Sequence, residues 1–301
     1  MAKKDKLKQE KDNKKAVVGF GVIVREFKRD KVAMTAFIIF ATLILGIFIT
    51  SMFLDSKKAM EVFITNRFAK PGTKGYIMGA DEGGREILFQ LIIGARNSLT
   101  IAFSVTVLTT LAGLFIGTIS GYYGGWVDAV VMRIVDFISI LPRLLLIIAF
   151  LQVVPNYSML AFIFIMSVFS WVGNARLYRG KALAESSMEY IKAAKTLGES
   201  DLRIMTRELL PNMSSIIIVN TTLSLAGNIG LETGLSYLGF GLPSSTPSLG
   251  TLIGYATNSD IIKNKVWVWL PASLLVLVLM LCVNYIGEAL KRSSDAKQRL
   301  G

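Results

Sequence analysis

An all-α membrane protein with six transmembrane helices and both termini in the cytoplasm is the fold class the sequence predicts, on three observations. Uncharged apolar runs long enough to cross a bilayer recur along the 301 residues, in a chain that is 52% hydrophobic and only 18% charged. Basic residues gather between those runs: residues 1–31 hold 11 Lys/Arg against 5 Asp/Glu, residues 176–212 hold 7 against 5, and residues 288–301 hold 4 against 2. Glycine and proline punctuate the chain where one run gives way to the next.

Residues 32–54 (VAMTAFIIFATLILGIFITSMFL) carry no charge over 23 positions. At about 1.5 Å per helical residue that run spans a hydrocarbon core about 30 Å thick, and it is the first membrane helix. The second lies within 97–127, its end set by Gly121, Gly124 and Gly125 of GYYGGWVD. A third runs over 128–153, interrupted by Arg133, Asp136, Pro142 and Arg143. Tyr157 to Asn174 gives a fourth, 213–237 a fifth rich in Asn, Ser, Thr and Gly, and Val266 to Gly287 a sixth. The three basic segments hold 22 of the 33 Lys/Arg, so the positive-inside rule places all three in the cytoplasm.

The resulting organisation is a basic cytoplasmic arm (1–31), the first helix (32–54), an external segment (55–96), a five-helix core (97–290) with a cytoplasmic loop at 176–212, and a cytoplasmic tail (291–301). In the external segment Ile87, Leu88, Leu91, Ile92 and Ala95 recur at helical spacing, which predicts an amphipathic stretch lying flat at the interface or packed on the bundle. The second external segment, 238–265, carries Gly239, Gly241, Pro243, Pro247 and Gly250 and reads as a rigid, turn-rich loop. Trp267 and Trp269 fit an aromatic belt. The Lys-rich arm suits contact with anionic membrane lipid and runs on without a small-residue cleavage site, so it is not read as a cleaved signal peptide.

Composition excludes several functions. A net charge of +12 interrupted by bilayer-length apolar runs reads as topology and lipid contact, not nucleic-acid binding. With no histidine the chain lacks the residue most used for acid-base chemistry and the commonest metal ligand, so no metal site is expected. Its one cysteine, Cys282, sits in an apolar run and forms no internal disulfide. There are no paired membrane carboxylates to serve an intramembrane enzyme, so no catalytic residue is expected. No glycine-rich loop ending in Gly-Lys-Ser/Thr is present to cradle a nucleotide.

The segment RLYRGKALAESSMEYIKAAKTLGESDLRIMTRELLPN is longer than a turn between membrane helices requires. Tyr190 to Leu197 is built from helix formers, Gly198 is placed to end that helix, Asp201 to cap a second over 202–210, and Pro211 to stop the second before the membrane. Tyr190, Ile191, Ala194 and Leu197 fall on one side, the expected apolar docking face. This stretch resembles the "EAA" loop of importer-type ABC permeases: Ala193, Ala194, Gly198, Leu210 and Pro211 match at the family's spacing, with Lys192 where the family has glutamate and Glu208 where it has isoleucine. The segments GADEGGREILFQLIIGARNSLTIAF, GYYGGWVDAVVMRIVDFISILP and LETGLSYLGFGLPSSTPSLG are similar to the C-type subunit of oligopeptide, dipeptide and nickel importers, a likeness that covers about Gly19 to Arg292.

The resemblance implies a type I ABC importer permease core that is not itself an enzyme. The expected partners are a homologous second permease, two ATPase subunits that hold ATP and Mg, and an extracellular or periplasmic peptide-binding protein. It implies residence in a bacterial cytoplasmic membrane and no cofactor in this chain. It also implies that Glu189, Tyr190, Ile191, Lys192, Ala193, Ala194, Lys195, Thr196, Leu197, Gly198, Glu199 and Ser200 form a coupling helix against an ATPase. Oligopeptides are the expected substrate, with dipeptides or nickel as alternatives, and a stand-alone channel or secondary transporter as the more remote reading.

Polar residues inside membrane helices are the remaining candidates, because charge in hydrocarbon is costly and tends to face protein or water. Arg143, after Pro142, either lines a pathway or is neutralised by snorkelling or by Asp136, seven residues before it. Arg133 and Asp136 are spaced for an intrahelical pair. Asn220, Ser224, Asn228 and Glu232 recur every four residues on one face, which suits either a pathway wall for peptide backbone or polar packing between helices.

Overall fold

The computed structural model describes residue 27 and residues 30–73, 75–155, 157–243 and 246–298. The arm expected over 1–31 lies outside them except at Phe27, Asp30 and Lys31, as do residues 299–301 of the expected tail. Among the described residues the regular structure is helical apart from one isolated bridge between Ala80 and Glu86.

Helix α1 (Lys31–Met52) starts where Asp30 accepts the backbone N–H groups of Val32 and Ala33 at 3.1 and 3.0 Å. The other Asp30 oxygen accepts from Arg292 Nη2 at 2.9 Å, which ties the start of α1 to the far end of the last helix, α11 (Leu270–Gln298). The Ala33 amide leads in holding the Asp30 carboxyl below its usual range, against its partial burial.

Helix α2 (Ile87–Tyr123) runs unbroken for 37 residues. The amphipathic stretch therefore takes the packing alternative and forms the first turns of the second span, with Ile87, Gln90 and Ile93 buried. Gly121, expected as a breaker, stays inside α2; the break comes at Gly124, whose φ of +61° only glycine adopts readily. The physical role of Gly121 is packing. With Gly113 and Gly117 it makes a bare ridge at every fourth residue, and a Cβ on any of the three would come within 2.5 Å of helix α6 (Val172–Ser186).

The third span, expected as one helix, is two: α3 (Gly125–Ile140) and α4 (Arg143–Val153), bent by 80°. Pro142 supplies no N–H and holds Leu141 extended, so the helix stops and restarts. The fourth is also double, α5 (Met159–Ser170) and α6, bent by 45°. Helix α6 carries it on to Ser186, so the expected 176–212 loop begins as a bundle helix.

Short helix α7 (Glu189–Thr196) follows, and then α8 (Asp201–Tyr237). Pro211 was expected to stop a helix over 202–210. Instead the chain passes through it, because a π-helical turn at Met205–Leu209 precedes it and Leu210 N–H bonds the Met205 carbonyl, five residues back. The widened turn relieves the clash a proline ring makes with the preceding turn. Ser200, not Asp201, is the N-cap residue.

At the other end of the bundle, α9 (Leu249–Gly254) and α10 (Ser259–Asn264) lie within the segment expected to be a turn-rich loop. A Ser248–Thr251 capping box starts α9. Trp267, expected in an aromatic belt, donates its indole N–H to the Ala80 carbonyl at 3.3 Å. Among the described residues four helices are long and apolar enough to cross a membrane, or up to six spans if each bent pair counts as one.

Candidate coupling helix and membrane cavity

Helix α7 sits between α6 and α8, both of which continue into the bundle. It ends as its sequence dictates: Gly198, at φ +78°, donates its N–H to Lys195 and Glu199 donates to Ala194, the paired bonds of a Schellman cap. Ile191 and Ala194 face inward, in one buried cluster with Tyr122, Tyr178, Ile204 and Leu209. This corrects the expected docking face. Three of its four residues are taken up by the bundle, with Tyr190 half-buried against the same cluster, and Leu197, 83% exposed at the cap, projects away from it. Glu189, Lys192, Ala193, Lys195, Thr196 and Ser200 are exposed as well, and Glu199 is half-buried.

Polar contacts brace the helix from both sides. Tyr190 OH donates to Glu185 Oε2 at 2.7 Å, and Lys181 bridges the other Glu185 oxygen at 2.7 Å. Burial first, then the Glu185 carboxylate, pushes the Tyr190 phenol up. Tyr122 OH donates to Asp201 at 2.7 Å while the Lys195 ammonium lies 4.4 Å from the Tyr122 ring centre. Arg179 donates through Nε to Asp128 at 2.8 Å and makes a second contact through Nη2, and Ser120 donates to the same carboxylate. The ends of α2, α3, α6 and α8 are thus joined beneath α7.

Farther into the bundle a cavity of about 300 Å³ is lined by Arg143, Ser224, Asn228, Ser139, Asn174 and Thr109, among others. It brings together three of the five pathway candidates from two different helices, Arg143 of α4 and Ser224 and Asn228 of α8. Asp136 does not pair with Arg143 or Arg133 as the spacing suggested. It takes Arg176 of α6 at 2.8 Å instead, because the bend at Pro142 turns α4 away from α3.

The α8 polar face is divided among several tasks. Asn220 donates to Asn174 Oδ1 and Tyr178 OH, both at 3.0 Å, and Asn228 donates to Thr106 at 2.9 Å, so both join helices. Asn228 also borders the cavity, and Ser224 lines it without a hydrogen-bond partner among the described residues. Asn220 lines a different recess. Glu232 is fully buried away from both, accepting from Ser236 Oγ at 2.8 Å, with the Ser98, Ser248 and Thr233 hydroxyls around it.

Residues 113–295, which hold α7 and the whole cavity lining except Thr109, match the family described as "Binding-protein-dependent transport system inner membrane component". The chain belongs to this family. The permease fold follows it: a chain of the MetNI methionine ABC transporter, solved in inward-facing form, superposes with a TM-score of 0.55 at 22% identity, over 69% of this chain and 97% of that one. Similar relatives include the oligopeptide transport system permease protein OppC of Lactococcus lactis subsp. lactis, 44% identical over 96% of this chain and 98% of the relative. OppC of Mycobacterium tuberculosis H37Rv is 37% identical over 76% and 78%, and OppC of Bacillus subtilis 168 is 32% identical over 96% and 93%.

One polar site of this permease escaped sequence reasoning. In the GADEGGRE segment Asp81 is fully buried and accepts from the Gly83 and Arg85 amides, each at 2.9 Å, from Arg85 Nε at 2.8 Å and from Gln90 at 3.0 Å. Tyr255 OH, 174 positions away, reaches the same carboxylate at 3.1 Å. The Asp-x-Gly-Gly-Arg spacing hinted at a turn closed by its own aspartate, but nothing local pointed to Tyr255.

Proposed function

We propose that this chain is the C-type permease subunit of an ATP-driven oligopeptide importer in a bacterial cytoplasmic membrane, with both termini in the cytoplasm. The observation that carries the substrate class is the 44% identity to an oligopeptide permease along almost the entire length of both chains. A second permease, two ATPase subunits that hydrolyse ATP with Mg, and an external peptide-binding protein complete the assembly.

Residues 189–200 act as the coupling helix. The α7 face turned from the bundle, with Leu197 at its tip, sits in an ATPase groove, and the face carrying Ile191 and Ala194 sits in the cluster that joins α2, α6 and α8. A push on α7 is therefore carried into three membrane helices at once, because a close-packed seat deforms little. Arg143, Ser224 and Asn228 offer a guanidinium, a hydroxyl and an amide to passing peptide backbone. Their cavity forms this chain's wall of the pathway.

The test is deletion of Ala193 to Gly198. ATP-dependent uptake of a labelled oligopeptide should vanish while the chain stays in the membrane with its second permease; uptake at the undeleted rate overturns the coupling role. Activity of this chain alone in liposomes, without ATPase subunits, would support a stand-alone channel.

A further inference from the structure

A recess of about 490 Å³ opens between α6, the base of α8 and the end of α11, next to the pathway cavity, whose Asn174 accepts from Asn220 of this recess. Lys181 and Glu185 come from α6 and Lys291 from α11. Along α8 its lining grades from Asn212 and Ser215 near the α7 end to Ile216, Val219 and Leu223 deeper in. The Asp30–Arg292 contact puts Lys291 level with the first turn of α1, where the uncharged run begins. The recess is therefore polar and cationic at the height of the bilayer boundary and apolar below it.

The charges set the sign of what fits. Glu185 is already matched by Lys181 at 2.7 Å and by the Tyr190 hydroxyl. Lys291 is exposed and has no ion-pair or hydrogen-bond partner among the described residues. Two ammonium groups against one carboxylate leave a net positive mouth, beside the hydroxyl of Ser215 and the amide of Asn212.

We infer that this recess binds the phosphodiester headgroup of an anionic phospholipid, with Lys291 and Lys181 toward the phosphate and an acyl chain along Ile216, Val219 and Leu223. A neutral zwitterionic headgroup would bring its own cation against the two lysines, whereas an anionic one does not. The occupant touches α6, the base of α8 and α11, and α6 and α8 are the two helices joined by α7. It thus restrains the helices that carry α7, and makes coupled transport depend on the acidic lipid of that leaflet. The binding site does not rest on the importer reading, but its effect on coupled transport does.

Native mass spectrometry of the intact transporter, supplied with phosphatidylglycerol or phosphatidylcholine, tests the site. The unmodified complex should retain phosphatidylglycerol preferentially, Lys291→Gln should retain it about fivefold more weakly, and Lys291→Arg should restore it. Equal retention of the two lipids, or no change in Lys291→Gln, overturns the proposal, as it would if another subunit covered the recess. Inorganic phosphate provides the second arm. If phosphate alone raises thermal stability in a Lys291-dependent way while phosphatidylglycerol does not, the site takes a free anion and the lipid assignment fails.

Discussion

The two ends of the bundle are held by different physics. Beneath α7 the fit is apolar: Ile191 and Ala194 sit among Tyr122, Tyr178, Ile204 and Leu209, and the polar contacts of Tyr190, Lys195 and Asp201 ring that seat. At the opposite end the fit is polar. Asp81 gathers Arg85, Gln90 and Tyr255, while Asn97 donates to the Pro247 carbonyl at 2.9 Å and Ser98 accepts the Leu249 amide at 3.0 Å. Burial first, then the Asp81 charge, pushes the Tyr255 phenol up. An apolar seat resists deformation through close packing, whereas the opposite end is held by directional hydrogen bonds to a buried carboxylate.

Breaking that contrast should give effects in a definite order. Asp81→Ala leaves the Arg85 guanidinium without its buried partner and should cost about 4 kcal/mol, read as a fall in thermal stability of the purified transporter. Asp81→Asn, which keeps the turn's acceptor oxygen, should recover part of it. Ile191→Ala removes a fully buried side chain from the α7 seat and should cost about 3 kcal/mol, with ATP hydrolysis retained but uptake uncoupled from it. Equal loss of both activities would show that the seat merely holds the fold.

Smaller effects sharpen the comparison. Tyr122→Phe removes the bond to Asp201 while keeping the ring under Lys195, and should cost about 1–2 kcal/mol, measurable by denaturation in detergent. Leu197→Ser should change stability by less than about 0.5 kcal/mol, because the side chain is exposed, yet reduce ATP-dependent uptake. Unchanged uptake would mean that the tip of α7 makes no contact of consequence.

Much of this arrangement was legible in the residues. The uncharged run from Val32, the Gly198 terminator and the α8 polar spacing all act within a few residues of themselves, and each reappears as α1, the Schellman cap and the Asn220–Asn228 face. Local signals misled where a partner decided the outcome. Gly121 reads as a breaker in isolation, but it is needed bare because α6 passes against it. Ile191 and Ala194 read as a docking face because periodicity shows that a helix has an apolar side, not which neighbour covers it.

What the sequence determined by itself was therefore where the apolar runs lie, their helical character and the kink after α7, since these follow from hydrophobicity and backbone sterics over short spans. Tertiary structure alone decided which way those helices face. Asp136 had two arginines at plausible spacing and took a third, Arg176, 40 positions along the chain, because an 80° bend at Pro142 moved one candidate away and α6 brought another near. Asp81 and Tyr255 meet across 174 positions for the same reason: an ion pair or hydrogen bond depends on distance in space, which spacing along a chain predicts only within a single helix or turn.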